Sequence, residues 1–192
     1  DGKLIPPIAY LVTNFAAPQA GREATMTHDE VTTLFHEFGH TLHHILTAQT
    51  EPQVSGINGV EWDAVELPSQ FLENFAWEHE IVKSISAHVE TGEQLPDELF
   101  DKMIAAKNYE AGAFCVRQVE FALFDMLLHS AFDPKTDSVQ ALLDSVRREV
   151  AVVFPPAWNR FPQSFSHIFA GGYGAGYYSY KWAEVLSADC FS

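Results

Sequence analysis

Apolar residues recur at intervals of three and four along most of the chain, and this spacing predicts a mainly helical protein. The clearest case is residues 28–46. Thr27 and Glu30 have the spacing of a capping box at the start of this stretch, and Asp29 adds a second acid to the first turn. The pattern therefore predicts an amphipathic helix whose apolar positions are Val31, Leu34, Phe35, Phe38, Leu42, Ile45 and Leu46.

Further helices are predicted downstream of this one. The helical pattern returns in four stretches, which are residues 65–90, 95–132, 137–153 and 177–192. Pro68 fits the first of them only in or near its first turn, because proline kinks a helix interior. Residues 154–176 are rich in proline and glycine and predict irregular structure.

One short stretch favours a β-strand. Residues 8–15 follow two prolines and contain β-branched and aromatic side chains. Residues 52–59 predict a loop, with a short hairpin as an alternative. We therefore expect a mainly α fold with a small β element near the N-terminus. A strand over residues 10–15 would either pair with a bound peptide or form an internal edge.

Composition and charge narrow the class of protein. The chain has 192 residues, of which 47% are hydrophobic, so one domain over residues 1–192 with a core of its own is expected. The net charge of −15 argues against nucleic acid or an anionic membrane as a partner. No apolar run approaches the ~20 residues of a membrane span, and no signal-peptide pattern opens the chain.

The cysteines and the two ends of the chain add two expectations. Cys115 and Cys190 are the only cysteines, and two free thiols in a reducing cytoplasm are expected, with a disulfide as the alternative. The chain begins at Asp1 without methionine, and the last helical pattern has no stop signal. These ends predict a fragment of a longer cytoplasmic protein.

His36, Glu37 and His40 form the pattern H-E-x-x-H within the first predicted helix. Two histidines four residues apart project from one face of a helix, where their imidazoles suit Zn²⁺. Glu37 is placed to take a proton from a water molecule that the metal polarises. His43 is about 10 Å along the axis from His36, so it predicts packing or support of a ligand, with a His40–His43 metal pair as the alternative.

A catalytic zinc ion usually has three protein ligands, and a carboxylate from a second helix would complete this set. The downstream candidates are Glu61, Asp63, Glu66, Glu73 and Glu78. Glu73 lies seven residues beyond Glu66 on the same helix face, about 10 Å away. Spacing alone leaves open the segment from Glu61 to Glu66 and the position of Glu73.

Three separated strings resemble the thimet oligopeptidase family of zinc metallopeptidases, family M3. They are residues 36–43, residues 55–56 with 63–70, and the glycine- and tyrosine-rich residues 167–180. The resemblance implies a helical, zincin-like catalytic domain. It also implies that a single Zn²⁺ is held by His36, His40 and Glu66. Asp63, Gln70 and Glu73 are then candidates to orient the ligands through hydrogen bonds.

The same resemblance assigns roles in residues 167–180. Tyr180 is implied as the main donor to the oxyanion, and His167 as a helper. Tyr173 and, more weakly, Tyr177 are implied to bind substrate, together with the flexible backbone at Gly171 and Gly172. Tyr178 is expected to pack in a core.

The resemblance implies a zinc-dependent endopeptidase that hydrolyses short peptides, with Glu37 as the general base. Family members are much longer, and the missing N-terminal half of the same protein would complete a substrate channel. One alternative is a fragment that holds zinc without turnover because that wall is missing. Another is a module that uses its aromatic, glycine-rich segment to bind peptides without cleaving them.

Overall fold

The computed structural model describes residues 5–21 and 23–192, and the described residues are mainly helical, as predicted. Four short 3₁₀ helices accompany the α-helices, at Pro52–Val54, Asn74–Trp77, Phe161–Ser164 and Ser166–Ile168. The α-helices are α1 His28–Ile45, α2 Leu67–Glu73, α3 His79–Ile85, α4 Asp97–Ala106, α5 Ala111–Ser130, α6 Val139–Val150 and α7 Ser179–Phe191.

The chain divides into two compact units. The first comprises residues 1–106 together with 183–192, and the second comprises residues 107–182. The division falls inside α7. Each unit has buried apolar residues of its own, so each is described separately.

Helix α1 is the main element of the first unit and follows its prediction closely. The Thr27 hydroxyl accepts a hydrogen bond from the Glu30 N–H, and the Glu30 carboxylate accepts one from the Thr27 N–H, which is the predicted capping box. The helix ends at Ile45, with Leu46 as its C-cap. Helix α2 packs against α1, and the buried apolar residues of the first unit are Val65, Ala76, Val82, Phe100 and Ala183.

The prediction of one helix over residues 65–90 was wrong. This stretch consists of α2, a 3₁₀ turn and α3, and Ser86 is already extended. The Asn74 side chain donates to the carbonyl oxygens of Gln70 and Phe71 at 3.2 and 3.1 Å, and such bonds compete with the regular helix. Pro68 lies in the first turn of α2, as expected.

Two other element predictions were also wrong, the strand over residues 8–15 and the single helix over residues 95–132. Residues 8–15 form no strand, and no strand occurs among residues 5–21 and 23–192; Tyr10 is 87% exposed, with no neighbouring strand for pairing. Residues 52–59 form the predicted loop, which contains a 3₁₀ turn and not the alternative hairpin. The predicted helix over residues 95–132 is interrupted before α5, where Glu110 has a left-handed φ of 56°.

The second unit has a core built from α5, α6 and the irregular segment that follows them. Its fully buried members are Phe124, Leu143, Val146, Phe165, Ile168 and Tyr177. A buried ion pair supports it, because Arg147 Nε donates to Glu120 Oε1 at 2.9 Å and both side chains are almost fully buried. Burial of a charge is tolerated where it is paired in this way.

Cys115 and Cys190 are free thiols, as expected. None of the helices in the described part of the chain has the length and the apolar content that crossing a bilayer requires.

Candidate functional site

The two histidines of the H-E-x-x-H pattern lie on one face of α1 and converge on one carboxylate. The Nε2 atoms of His36 and His40 are each 3.2 Å from Glu66 Oε2. The rings of these histidines meet edge to face, with centroids 4.9 Å apart. The structure therefore brings together the three residues that the resemblance implies as metal ligands.

Glu66 owes its position to the start of α2, of which it is the N-cap residue. The side chain is only 2% exposed, so the carboxylate needs polar partners. One partner is Ser69, whose hydroxyl donates to Glu66 Oε2 at 3.0 Å. Ser69 thus fixes the face that the carboxylate turns toward the histidines.

Gly39 allows α2 to begin so close to α1. A Cβ atom at this position would lie 2.5 Å from Ser69 Cα and 2.6 Å from the Pro68 oxygen, which is closer than real Cβ contacts. Glycine in a helix interior is unfavourable by about 1 kcal/mol relative to alanine, so its place here is explained by packing. The glycine between the two histidines lets Glu66 reach their ring nitrogens.

The donor set fits a tetrahedral metal ion. Two donors about 2.1 Å from a tetrahedral zinc ion lie about 3.4 Å apart. The observed 3.2 Å from each histidine Nε2 to Glu66 Oε2 is close to that spacing. Two imidazole nitrogens and one carboxylate oxygen also form a common donor set of catalytic zinc. Among the described residues, this is the only group of three or more such side chains with metal-binding geometry.

Glu73 contacts the ring nitrogen of His36 that does not face Glu66. Its Oε1 lies 2.6 Å from His36 Nδ1, and because a carboxylate only accepts, His36 Nδ1–H donates. Burial lowers the pKa of His36, but the hydrogen bonds and charges of Glu66 and Glu73 outweigh burial and raise the pKa to about 9. The protein around His36 therefore favours positive charge.

The other predicted residues of the first unit occupy less specific positions. Glu37 is half-buried on α1 beside the first histidine, and Asp63 and Gln70 are half-buried near Glu66 in the chain. His43 lines an apolar groove instead of joining the metal ligands, and burial lowers its pKa. The role of Asp63 and Gln70 stays a prediction.

The second unit brings the residues of the glycine-rich segment together. The rings of Tyr173 and Tyr180 stack with centroids 5.0 Å apart, and the His167 ring lies 6.3 and 6.2 Å from them. Gly171 packs closely on the backbone of His167, since a Cβ there would lie 2.8 Å from His167 Cα. Gly172 has a φ of 87°. These glycines let the chain fold back over the histidine.

Tyr177 and Tyr178 differ in their surroundings. Tyr177 is 9% exposed and its hydroxyl donates to Gln118 Oε1 at 3.0 Å, and its contact with substrate stays a prediction. Burial also raises its pKa. The prediction that Tyr178 packs in a core was wrong, because Tyr178 is 40% exposed. The helix begins at Ser179, not at residue 177, so both tyrosines precede it.

Sequence reasoning missed three residues that position these groups. Gly39 had no assigned role, although glycine in a helix interior signals a close approach. Ser69 stands in the resembling string without an assigned role. Asp125 is the one acid in the otherwise apolar run of residues 121–128 of α5, which is a signal of a buried polar interaction.

Comparison with known proteins agrees with this arrangement. The whole chain, residues 1–192, matches peptidase family M3. It is 60% identical over 193 residues to oligopeptidase A of Salmonella typhimurium, covering 100% of this chain and 28% of that protein. It is 51% identical over 187 residues to the organellar oligopeptidase A of Arabidopsis thaliana, covering 97% and 24%. It is 36% identical over 189 residues to dipeptidyl carboxypeptidase of Escherichia coli, covering 95% and 27%.

The chain belongs to peptidase family M3, and the predicted family membership is confirmed. The chain spans about a quarter of the length of these relatives.

Replacement of Gly39 by alanine is expected to damage the first unit. The added methyl group would push α2 from α1, which should cost about 1–3 kcal/mol of stability and weaken metal binding. Urea unfolding and zinc titration against a chromophoric chelator measure the two effects. Gly112→Ala in α5 is the control, since no atom lies within 4 Å of the added Cβ. Equal behaviour of the two variants would contradict the packing argument.

Removal of acids around the histidines is expected to have graded effects on zinc binding. Glu66→Ala should abolish stoichiometric binding, and Glu73→Gln should weaken it by roughly 10–100-fold because His36 loses its carboxylate acceptor. Glu61→Gln, at an exposed position, should bind zinc normally. Metal analysis after dialysis measures all three. Full zinc content in Glu66→Ala would assign the ligand role to another carboxylate.

Proposed function

We propose that this chain carries the catalytic centre of a zinc-dependent endopeptidase that hydrolyses short peptides. The observation that carries the proposal is the convergence of His36, His40 and Glu66, with Glu37 next to the first histidine on the same helix. Family membership and the names of the relatives, two oligopeptidases and a dipeptidyl carboxypeptidase, support a peptide as the substrate.

His36, His40 and Glu66 would hold a single zinc ion. When bound, zinc would act as a Lewis acid that makes water a better nucleophile near neutral pH. Ser69 orients the Glu66 carboxylate, and Glu73 orients the His36 ring by accepting from Nδ1. Such supporting hydrogen bonds fix the tautomer and the direction of the ligands. This chain therefore provides both the ligands and the groups that hold them.

Glu37 is the proposed general base. Its carboxylate accepts a proton from the attacking water and later delivers that proton to the amine of the departing peptide. Histidine ligands have no free lone pair for this role, because one ring nitrogen would bind the metal and the other carries a proton. Glu37 is the acid adjacent to a ligand on α1. The position of Glu37 thus matches the role of general base that is expected for the glutamate in the pattern H-E-x-x-H.

The glycine-rich segment is proposed to contact the peptide. In this assignment the Tyr180 hydroxyl donates to the substrate carbonyl oxygen as that oxygen becomes negative, with help from His167. Tyr173, Gly171 and Gly172 contact the rest of the peptide. Tyr177 contributes through the packing of its ring beneath Tyr180, with centroids 5.1 Å apart.

The remainder of the longer protein is the proposed partner of this chain. In family members a second helical half forms the opposite wall of a channel, and peptides of limited length would enter it. Neither nucleic acid nor a membrane is part of the proposal, and the cytoplasm is the proposed location.

A second candidate is a zinc-holding fragment without turnover. It is favoured by one observation, that the chain spans 28% of the oligopeptidase A to which it is 60% identical. Hydrolysis of a short, internally quenched peptide by the zinc-loaded chain separates the two candidates. Cleavage supports the peptidase, and stoichiometric zinc without cleavage supports the second candidate.

Glu37→Gln is expected to retain zinc and lose hydrolysis. The amide has nearly the same shape but accepts no proton, so the chemical step loses its base. Turnover of the quenched peptide and zinc content are measured on the same sample. Undiminished turnover in a variant that has its full zinc content would refute the mechanism.

Tyr180→Phe is expected to lower kcat by about 10²–10³ with little change in zinc content, if its hydroxyl acts as an oxyanion donor. Tyr178→Phe removes a hydroxyl two residues away, from a side chain that is 40% exposed, and should leave kcat unchanged. Steady-state kinetics of both variants test the assignment. Similar losses in the two variants would show a general effect of the segment instead of a specific donor.

A further inference from the structure

Asp125 is a buried acid that the proposed chemistry does not use. It lies in the apolar middle of α5 with 1% of its surface exposed. Its Oδ1 accepts a hydrogen bond from the Ala175 N–H and its Oδ2 accepts one from the Tyr177 N–H, both at 2.9 Å. One carboxylate thus binds two backbone amides on either side of Gly176. Charge-assisted bonds of this kind are stronger than those between neutral groups.

His129 completes the contact one helical turn further on. Its Nδ1 lies 2.8 Å from Asp125 Oδ1, and its ring lies against the backbone of Gly174. A Cβ at Gly174 would lie 3.2 Å from His129 Nε2. Asp125 and His129 together therefore contact the segment from Gly174 to Tyr177.

This segment has a backbone conformation that requires support. Ala175 has a φ of 58°, a left-handed value that is unfavourable for a residue with a Cβ. The Ala175 N–H is one of the two that Asp125 binds. The buried carboxylate therefore stabilises the backbone of Ala175 in its left-handed conformation.

The anchored residues connect the two tyrosines of the proposed substrate contact. Tyr173 precedes the anchored segment and Tyr180 follows it, yet their rings stack at 5.0 Å with an interplanar angle of 24°. The stacking depends on the path of the backbone between them. Tyr177, which Asp125 also binds, packs its ring against Phe165 and Tyr180.

We infer that Asp125, supported by His129, is a positioning residue that holds residues 174–177 so that Tyr173 and Tyr180 are presented as a pair to the peptide. The inference rests on the proposed function for the role of the tyrosines. Asp125 itself touches no substrate, because its carboxylate is buried and occupied by backbone amides. Its effect on hydrolysis passes through the segment.

The test compares Asp125→Asn with Asp144→Asn in the full 192-residue chain. Asparagine keeps one acceptor oxygen but turns an NH₂ group toward the second backbone N–H, so one hydrogen bond is lost. Asp144 is the control because it accepts from Gln140 within α6 and has no contact with the segment. Amide hydrogen exchange of Ala175 and Tyr177, measured by NMR, should accelerate by about 10–100-fold in Asp125→Asn only.

Kinetics of the zinc-loaded chain provide the second readout. Asp125→Asn should lower kcat, and it should have little further effect in a Tyr180→Phe background, because both changes remove the same contribution. Additive losses in the double variant would overturn the positioning role. Zinc content should be unchanged in every variant.

His129→Ala provides an independent variant if Asp125→Asn does not fold. It should accelerate exchange at Ala175 and Tyr177 by a smaller factor, and unchanged exchange would overturn the inference. Failure of the proposed function has a different signature, since the wild type would then hydrolyse no peptide whatever the exchange rates. Unchanged exchange in a folded Asp125→Asn contradicts the inference even if the wild type is active.

Discussion

Close backbone contact between α1 and the first residues of α2 is the constraint on which the candidate metal ligands depend. Gly39 leaves no side chain between the helices, so Ser69 and Pro68 approach the backbone of α1 directly. Glu66 is thereby buried opposite two imidazoles instead of facing solvent. A buried carboxylate without partners is strongly unfavourable, and Ser69 together with the histidines satisfies it. Packing and metal chemistry are therefore coupled at one glycine.

The electrostatics of the first unit follow from this packing. Glu66 and Glu73 contact His36 at its two ring nitrogens, and they raise its pKa to about 9 against the opposing effect of burial. The negative charge of Glu66 and Glu73 that favours a proton on His36 also favours a divalent cation between the histidines and Glu66. A metal ion bound there has to displace that proton, as is usual for histidine ligands. Glu73 remains available to accept from Nδ1 in either state, so it holds the ring orientation throughout.

Signals in the local sequence predicted much of the fold and of the candidate site, and tertiary contacts account for the features that they did not predict. Helix α1 was predictable because capping box, periodicity and ligand spacing lie within twenty residues of one another. Spacing could not choose between Glu66 and Glu73 as the third ligand, since the sequence of neither helix determines the distance between the two helices. Only the family resemblance favoured Glu66. The run at residues 8–15 has strand propensity but no partner strand in the described chain. Asp125 was missed because its partners are backbone amides 50 and 52 residues away.

Buried acids thus have different uses in the two units. Glu66 directs its carboxylate to the ring nitrogens of His36 and His40, which would exchange a proton for a metal ion in the proposed function. Asp125 directs its carboxylate to backbone N–H groups, which do not exchange their proton for a metal ion, so it fixes the backbone conformation. Alanine at position 175 opposes that conformation, because its Cβ disfavours the left-handed φ of 58°, so the two hydrogen bonds to Asp125 hold the backbone against this preference. The glycines at positions 171 and 172 lack a Cβ and have no such preference. In the proposed function the backbone at these glycines contacts the peptide, while the anchored residues 174–177 set the spacing of the two tyrosines.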